Sequence, residues 1–114
     1  MNELIFISEP ISGIDNYEDN FNNAEEYLKS LGFTNIINPT KIMKVLPKEI
    51  EYKKALNIDL AMVKQCKYIY MLNGWQDSNG ANQEIACAAQ EGLDIFYQDE
   101  STIEKFIRNN DSCA

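Results

Sequence analysis

The sequence predicts an α/β fold in which a parallel β-sheet is covered by helices on both faces. Two observations support this prediction. Segments of four or five consecutive apolar residues alternate with longer segments in which apolar residues recur every three or four positions. Two of the short segments, residues 4–7 and 68–72, are apolar throughout, which is typical of parallel strands buried on both faces. Right-handed crossovers between such strands place successive helices on either side of the sheet.

The first half of the chain contains two predicted strands with a helix between them. Residues 4–7 form the first strand, which Ser8-Glu9-Pro10 ends. A helix follows, because its apolar residues recur at spacings of three and four: Tyr17, Phe21, Ala24, Leu28 and Leu31. Gly32 is suited to end this helix. The second strand is predicted at residues 34–37, and a loop is predicted at residues 40–46.

The second half continues the alternation of helices and strands. Pro47 is suited to the first turn of a helix that extends over about residues 49–65. Strands are predicted at residues 68–72 and 93–97, and residues 81–89 between them have helical spacing. Ser101 is placed to cap a last helix that ends near residue 109. This order predicts a Rossmann-like (flavodoxin-like) three-layer αβα sandwich with a parallel sheet of four to five strands, as one domain of residues 1–114.

The composition excludes several classes of function. Asp and Glu number 18 against 10 Lys and Arg, and the formal charge is −8. This balance argues against a nucleic acid polymer as partner, because such binding depends on neutralising phosphates with Lys and Arg. The chain has no His, which excludes His-based metal sites and Ser–His or Cys–His nucleophile pairs. We therefore expect neither a metal nor a cofactor.

The cysteines and the start of the chain indicate a reducing compartment. The three cysteines are odd in number and lack C-x-x-C spacing. The first residues lack a basic segment followed by an apolar one, and no apolar run approaches about 18 residues. We therefore expect a soluble, cytoplasmic protein that does not bind membranes.

Asp59 gives the clearest signal for chemistry. It lies in the middle of the apolar stripe of its predicted helix, which also contains Tyr52, Ala55, Leu56, Met62, Val63 and Cys66. A carboxylate on a buried face is costly unless it is paired or hydrogen-bonded. Two interpretations remain open: Asp59 satisfies backbone N–H groups, or it is a pocket carboxylate with a perturbed pKa.

The turn at residues 73–80 predicts a ligand site. A strand that leads into a helix through a Gly-rich turn places this turn at the carboxyl edge of the sheet, where ligands bind. Ser78 is suited to cap the helix by accepting from the amide of Ala81, or to contact a phosphate or sugar hydroxyl there. Trp75 is a core aromatic or a weak candidate for ligand contact. Glu84 is either a surface residue or, one turn inside the helix, a partner for Asp59 in a two-carboxylate site.

Five short motifs, spread over most of the chain, resemble those of a known superfamily. The pattern consists of Phe6-Ile7-Ser8-Glu9-Pro10-Ile11-Ser12-Gly13, Ile37-Asn38-Pro39, Asp59, Gly74-Trp75 and Ser78-Asn79-Gly80-Ala81-Asn82-Gln83-Glu84. It is similar to the nucleoside 2-deoxyribosyltransferase-like superfamily, and most similar to its small phage and bacterial branch called DUF4406. The resemblance extends over residues 3–97.

The resemblance implies an activity and a set of site residues. Glu84 matches the nucleophile that attacks C1′ of a deoxyribosyl group, and Asp59 matches the carboxylate that assists departure of the base or holds the sugar. Ser78 matches a serine that binds the 5′-phosphate, and Ser12 and Gly13 match a loop that lines the sugar or phosphate. The implied substrate-binding set is Ser8, Glu9, Ser12, Gly13, Trp75, Ser78 and Gly80. The superfamily also implies a homodimer or larger homo-oligomer.

Three positions depart from the pattern of the enzymes. Phe6 stands where they usually carry a Tyr, Glu9 where they usually carry a Gly, and Ser12 where the monophosphate hydrolases carry an Arg. Two functions follow as hypotheses. The first is an N-glycosidase or deoxyribosyltransferase that acts on a nucleoside or its 5′-monophosphate, and the second is a non-catalytic binder of a nucleotide-derived metabolite. A structural or interaction domain on the same fold is a third possibility.

Overall fold

The computed structural model describes residues 2–8 and 17–111. Within them, parallel strands form one sheet: β1 (Leu4–Ser8), β2 (Asn35–Ile37), β3 (Tyr68–Met71) and β4 (Asp94–Tyr97). Helices lie between these strands and after the last one: α1 (Tyr17–Ser30), α2 (Pro39–Met43), α3 (Tyr52–Lys64), α4 (Asn79–Glu91) and, after β4, α5 (Thr102–Asp111). The predicted α/β sandwich is confirmed. None of the helices in the described ranges is both long and apolar enough to cross a membrane.

The strand order determines where a ligand site is expected. The sheet has the order β2-β1-β3-β4, so the chain moves from β1 outward to β2 and then returns to the other side of β1. The order therefore reverses between β1 and β3, and ligands of open α/β sheets bind outside the carboxyl ends of the strands at such a switch point. Ser8 and Met71, the last residues of β1 and β3, are register partners at this edge.

Each face of the sheet packs against its own pair of helices. Side chains alternate along β1, so Ile5 and Ile7 lie on one face and Phe6 lies on the other. The first face packs against α1 and α5, and the second packs against α3 and α4. The result is the predicted three-layer arrangement, in which residues with no solvent exposure fill both interfaces.

Local signals end α1 and begin α4 where the sequence predicts them. Gly32 has a φ of 103° and ends α1, and Gly92 has a φ of 80° and ends α4. Both angles lie in the left-handed region, where glycine carries no Cβ penalty. The hydroxyl oxygen of Ser78 accepts a hydrogen bond from the amide of Ala81 at 3.2 Å, so the predicted cap of α4 is confirmed.

Three predictions about residues 40–65 are wrong. The predicted loop contains α2, because Asn38 Oδ1 accepts from the Thr40 amide at 3.1 Å and Pro39 occupies the first helical position. Pro47 does not begin the next helix, which starts at Tyr52. Its carbonyl instead accepts from the amide of Ile50 at 3.2 Å, in a turn. Tyr52, predicted on the buried stripe, is 58% exposed.

Candidate functional site

Glu84 lies on the inner face of α4. It is 6% exposed, and the buried residues Ala81 and Ala88 lie one turn before it and one turn after it on the same helix. The capping of α4 by Ser78 fixes the start of this helix at the carboxyl edge of the sheet. The position therefore agrees with the interpretation of Glu84 as a buried carboxylate and excludes the surface position.

Ser8 connects β1 to Glu84. Its side chain has no solvent exposure, and its Oγ donates a hydrogen bond to Glu84 Oε1 at 2.6 Å. Ser8 is the last residue of β1, so the bond joins the switch point of the sheet to α4. A hydroxyl that donates to a carboxylate favours its ionised form and fixes its orientation.

Asp59 lies beside Glu84 on α3. It is 8% exposed and shares its helix face with the buried residues Ala55, Leu56 and Val63. The carboxyl groups of Asp59 and Glu84 share a hydrogen bond. One proton must lie between two carboxyl oxygens for such a bond to form. The two catalytic candidates of the sequence analysis are therefore direct neighbours.

Burial raises the pKa of both carboxyl groups, and the proximity of Asp59 raises that of Glu84 further. Burial raises the pKa of Asp59 to about 6, against the opposing effect of its hydrogen bond with Glu84. Burial also raises the pKa of Glu84, where the Ser8 hydroxyl opposes the shift and the charge of Asp59 adds to it. Two close carboxyl groups titrate as a pair, so the proton that they hold near neutral pH belongs to both.

The remaining candidates that the structure describes lie in the turn before α4 and in the first turn of α4. Trp75 is half-buried, and its ring lies 5.8 Å from that of Tyr97 at an interplanar angle of 34°. Ser78 is half-buried and its hydroxyl caps α4. Gly80 lies in the first turn of α4, and a Cβ at this position would come within 3.2 Å of the Tyr52 hydroxyl oxygen.

Glu9, Ser12 and Gly13 lie outside the described residues. Phe6 is fully buried in the core beneath α3 and α4, on the same face of β1 as Ser8. In this structure the hydroxyl on Glu84 therefore comes from Ser8, two residues after Phe6. Within residues 2–8 and 17–111, no group of three acidic or thiol side chains is arranged to bind a metal ion.

The sequence analysis missed two features of the site. The hydrogen bond between Ser8 and Glu84 joins residues 76 positions apart, and no local pattern indicates it. The position of Tyr52 at Gly80 was missed because the start of α3 was predicted three residues too early. No local pattern in the sequence places Tyr52 against the first turn of α4.

Comparison with known families supports the expected relationship. A protein family described as a domain of unknown function, DUF4406, matches residues 3–97. The chain belongs to the DUF4406 family. This match confirms the DUF4406 branch that the sequence motifs indicate.

A solved structure shows the same fold as this DUF4406 protein. The 2-desoxiribosyltransferase from Leishmania mexicana superposes with a TM-score of 0.63 at 20% sequence identity. The aligned part covers 83% of this chain and 63% of the transferase chain. At this identity the similarity concerns the fold, which does not by itself determine activity. No curated protein sequence matches this chain.

Proposed function

We propose that this protein cleaves the N-glycosidic bond of a deoxynucleoside or its 5′-monophosphate, with Glu84 as the nucleophile. The observation that carries this proposal is the buried group formed by Ser8, Glu84 and Asp59 at the switch point of the sheet. Two neighbouring carboxyl groups that share a proton are suited to glycosidic bond cleavage, because one can attack while the other acts as an acid.

The two steps assign a separate role to each carboxyl group. In the first step, a Glu84 carboxylate oxygen bonds to C1′ while the bond from C1′ to the base breaks, and Asp59 gives the shared proton to the departing base. In the second step, Asp59 takes a proton from water as the water oxygen bonds to C1′ and releases Glu84. A second base in place of water gives transfer instead of hydrolysis.

Ser8 acts through Glu84 in this mechanism. Its hydroxyl donates to Glu84 Oε1 and is fully buried, so its role is to orient the nucleophile and favour the carboxylate. The hydroxyl of Ser78 and the free N–H groups of the first turn of α4 are available to a sugar or phosphate oxygen. Trp75 lies in the turn before α4, and Gly80 lies in the first turn of α4.

A second candidate function is the binding of a nucleotide-derived metabolite without chemistry. The raised pKa of Glu84 favours this alternative, because a protonated carboxyl group is a poor nucleophile but does not repel an anionic ligand. In that case the protein retains its ligand intact, and native mass spectrometry detects the unmodified mass.

Release of free base distinguishes the two functions. The protein is incubated with the deoxynucleosides of the four DNA bases and with their 5′-monophosphates, and free base is measured by liquid chromatography. Glu84→Gln is expected to reduce base release by roughly 10³-fold or more, the scale on which loss of a catalytic group acts. Glu91→Gln is the matched control, because Glu91 is an exposed glutamate on the same helix. Equal release by wild type and Glu84→Gln would exclude Glu84 as the nucleophile.

A homo-oligomer and a cytoplasmic location stay predictions. Sedimentation of the purified protein tests the first, and fractionation of the source cells tests the second.

A further inference from the structure

A groove separate from the buried carboxyl groups lies between the end of α2 and the start of α3. It encloses about 500 Å³, within the range of small-molecule sites. Leu46, Ile50 and Ala55 contribute apolar lining, and Lys44, Lys48 and Tyr52 also border the groove. The groove therefore combines an apolar surface, an aromatic ring and two ammonium groups.

The exposed apolar side chains of the described residues are concentrated at this groove. In that part of the chain, Val45 and Tyr52 are the exposed large hydrophobic residues, at 80% and 58%. Tyr52 borders the groove, and Val45 lies between two residues that border it. Exposed apolar surface next to a concave site is typical of ligand binding.

The charge of this segment is opposite to that of the chain. Five of the ten basic residues lie between positions 41 and 54, together with two glutamates, in a chain of formal charge −8. Lys41 is held by the buried Glu25 at 2.9 Å, whereas Lys44 forms an exposed ion pair with Glu18 at 3.3 Å. Exposed ion pairs contribute little to stability, so Lys44 can exchange Glu18 for a phosphate at small cost.

The groove lies one helical turn from the carboxylate pair along α3. Ala55 borders the groove and lies four residues before Asp59 on α3. Gly80, which faces the Tyr52 hydroxyl, lies four residues before Glu84 on α4. Four residues of helix correspond to a rise of about 6 Å. The groove therefore begins one helical turn from Asp59, and Tyr52 at its border faces the first turn of α4.

We propose that this groove binds a second nucleotide unit, so that the substrate or ligand class of the Glu84 site is a pyrophosphate-linked dinucleotide. Lys44 and Lys48 bind its phosphates, and its base stacks on Tyr52 over the apolar lining. A base alone does not need two lysines, and a phosphate alone does not need an apolar lining with an exposed ring. This inference rests on the proposed function for the first nucleotide, whose sugar lies at Asp59 and Glu84.

Binding measurements test the inference without turnover. Isothermal titration calorimetry on the Glu84→Gln protein compares nicotinamide adenine dinucleotide and diadenosine diphosphate with adenosine and the 5′-monophosphates of adenosine, guanosine, cytidine and uridine. A dinucleotide is expected to bind at least about tenfold more tightly than any monophosphate, because it gains one stacked base and one phosphate contact. Equal affinities for dinucleotides and monophosphates would overturn the inference.

Charge reversal locates the binding. The double variant Lys44→Glu/Lys48→Glu is expected to remove the advantage of the dinucleotide. Lys53→Glu/Lys54→Glu makes the same charge change on exposed lysines that do not border the groove, and is expected to alter affinity less than about threefold. An equal effect of the two double variants would mean that only the overall charge matters, and would overturn the assignment of the groove.

Substitution of Tyr52 separates stacking from hydrogen bonding. Tyr52→Ala is expected to weaken dinucleotide binding about tenfold, whereas Tyr52→Phe keeps the ring and most of the affinity. Unchanged binding by Tyr52→Ala would contradict the stacking role.

If base is released from mononucleotides but no dinucleotide binds more tightly, the proposed function stands and this inference fails. If a dinucleotide binds through the lysines but no base is released, this inference stands and the proposed cleavage fails.

Discussion

Helices α1 and α4 each bury a carboxyl group near the carboxyl edge of the sheet, but the surroundings of the two groups are opposite. Glu25 on α1 lies 2.9 Å from Lys41 Nζ and 3.3 Å from Lys29 Nζ, and it accepts from Asn38 Nδ2 at 3.1 Å. Glu84 on α4 accepts from the neutral Ser8 hydroxyl and shares a proton with Asp59. In the described part of the chain, no cation forms an ion pair with Glu84 or Asp59.

The pKa shifts differ accordingly. Burial acts to raise the pKa of Glu25, but the hydrogen bonds from Lys41, Asn38 and Lys29 outweigh it and lower the pKa below the ordinary value. For Glu84, burial together with Asp59 outweighs the Ser8 bond and raises the pKa. A paired carboxylate stabilises the fold, whereas a buried acid pair without a cation is typical of a functional site.

The largest expected difference between the two acids is in stability. Glu25→Gln is expected to lower the free energy of unfolding by about 1–3 kcal/mol at neutral pH, because it removes the charge that Lys41 and Lys29 contact. Glu84→Gln is expected to raise it under the same conditions, because an amide does not have to ionise in a buried site. Urea denaturation of both variants measures the two changes. Destabilisation of similar size by both would show that both acids are structural.

The pH dependence of stability is expected to have opposite signs at the two acids. The pKa of Glu84, about 8, and that of Asp59, about 6, lie above the ordinary values, so the folded state binds more protons than the unfolded state between about pH 4 and 8. The stability that they contribute is therefore complete below pH 4 and is lost as the pH rises to about 8. Glu25, whose pKa is lowered, contributes stability above its unfolded pKa that is lost as the pH falls.

Thermal unfolding at a series of pH values tests these signs. Glu84→Gln is expected to flatten the decline between pH 4 and 8 and to leave the loss at lower pH. Glu25→Gln is expected to reduce the loss at low pH and to leave the decline above it. A wild-type stability that does not change between pH 5 and 8 would contradict the raised pKa values of the pair.

Removal of the Ser8 hydroxyl is expected to have an intermediate effect on activity. Ser8→Ala leaves both carboxyl groups in place but removes the hydrogen bond that favours ionised Glu84, so the pKa of Glu84 rises further. The turnover number is expected to fall about 10- to 100-fold, with the pH optimum shifted upward and KM nearly unchanged. Ser8→Thr keeps a hydroxyl and serves as the control. A fall in activity without a shift of the pH profile would assign Ser8 a packing role only.

The smallest expected effect is the loss of the α4 cap. Ser78→Ala removes the side-chain acceptor of the Ala81 amide and is expected to cost about 1 kcal/mol of stability. Ser78→Asp is the control, because aspartate is also a strong cap and complements the helix dipole. If Ser78 also contacts a phosphate, Ser78→Asp restores stability but weakens binding of monophosphates relative to nucleosides.

The sequence predicts features that depend on local patterns, and it misses features that depend on contacts between separate elements. The strands and the burial of Asp59 were predicted correctly, because runs of buried residues and a carboxylate within an apolar stripe are local patterns. Helix α2 was missed because its start depends on a side-chain bond of Asn38 in a segment with no apolar period. The Ser8 bond to Glu84 and the network at Glu25 join separate elements, so only the folded chain shows them.

The most direct test of Glu84 as nucleophile is the mass of the protein during the reaction. The wild type is mixed with a deoxynucleoside or monophosphate from which it releases base, quenched with acid within milliseconds to seconds, digested and analysed by mass spectrometry. The account predicts a deoxyribosyl group, with or without its phosphate, esterified to Glu84 and absent from Glu84→Gln. A protein that releases base with no adduct, or with an adduct on another residue, would contradict it.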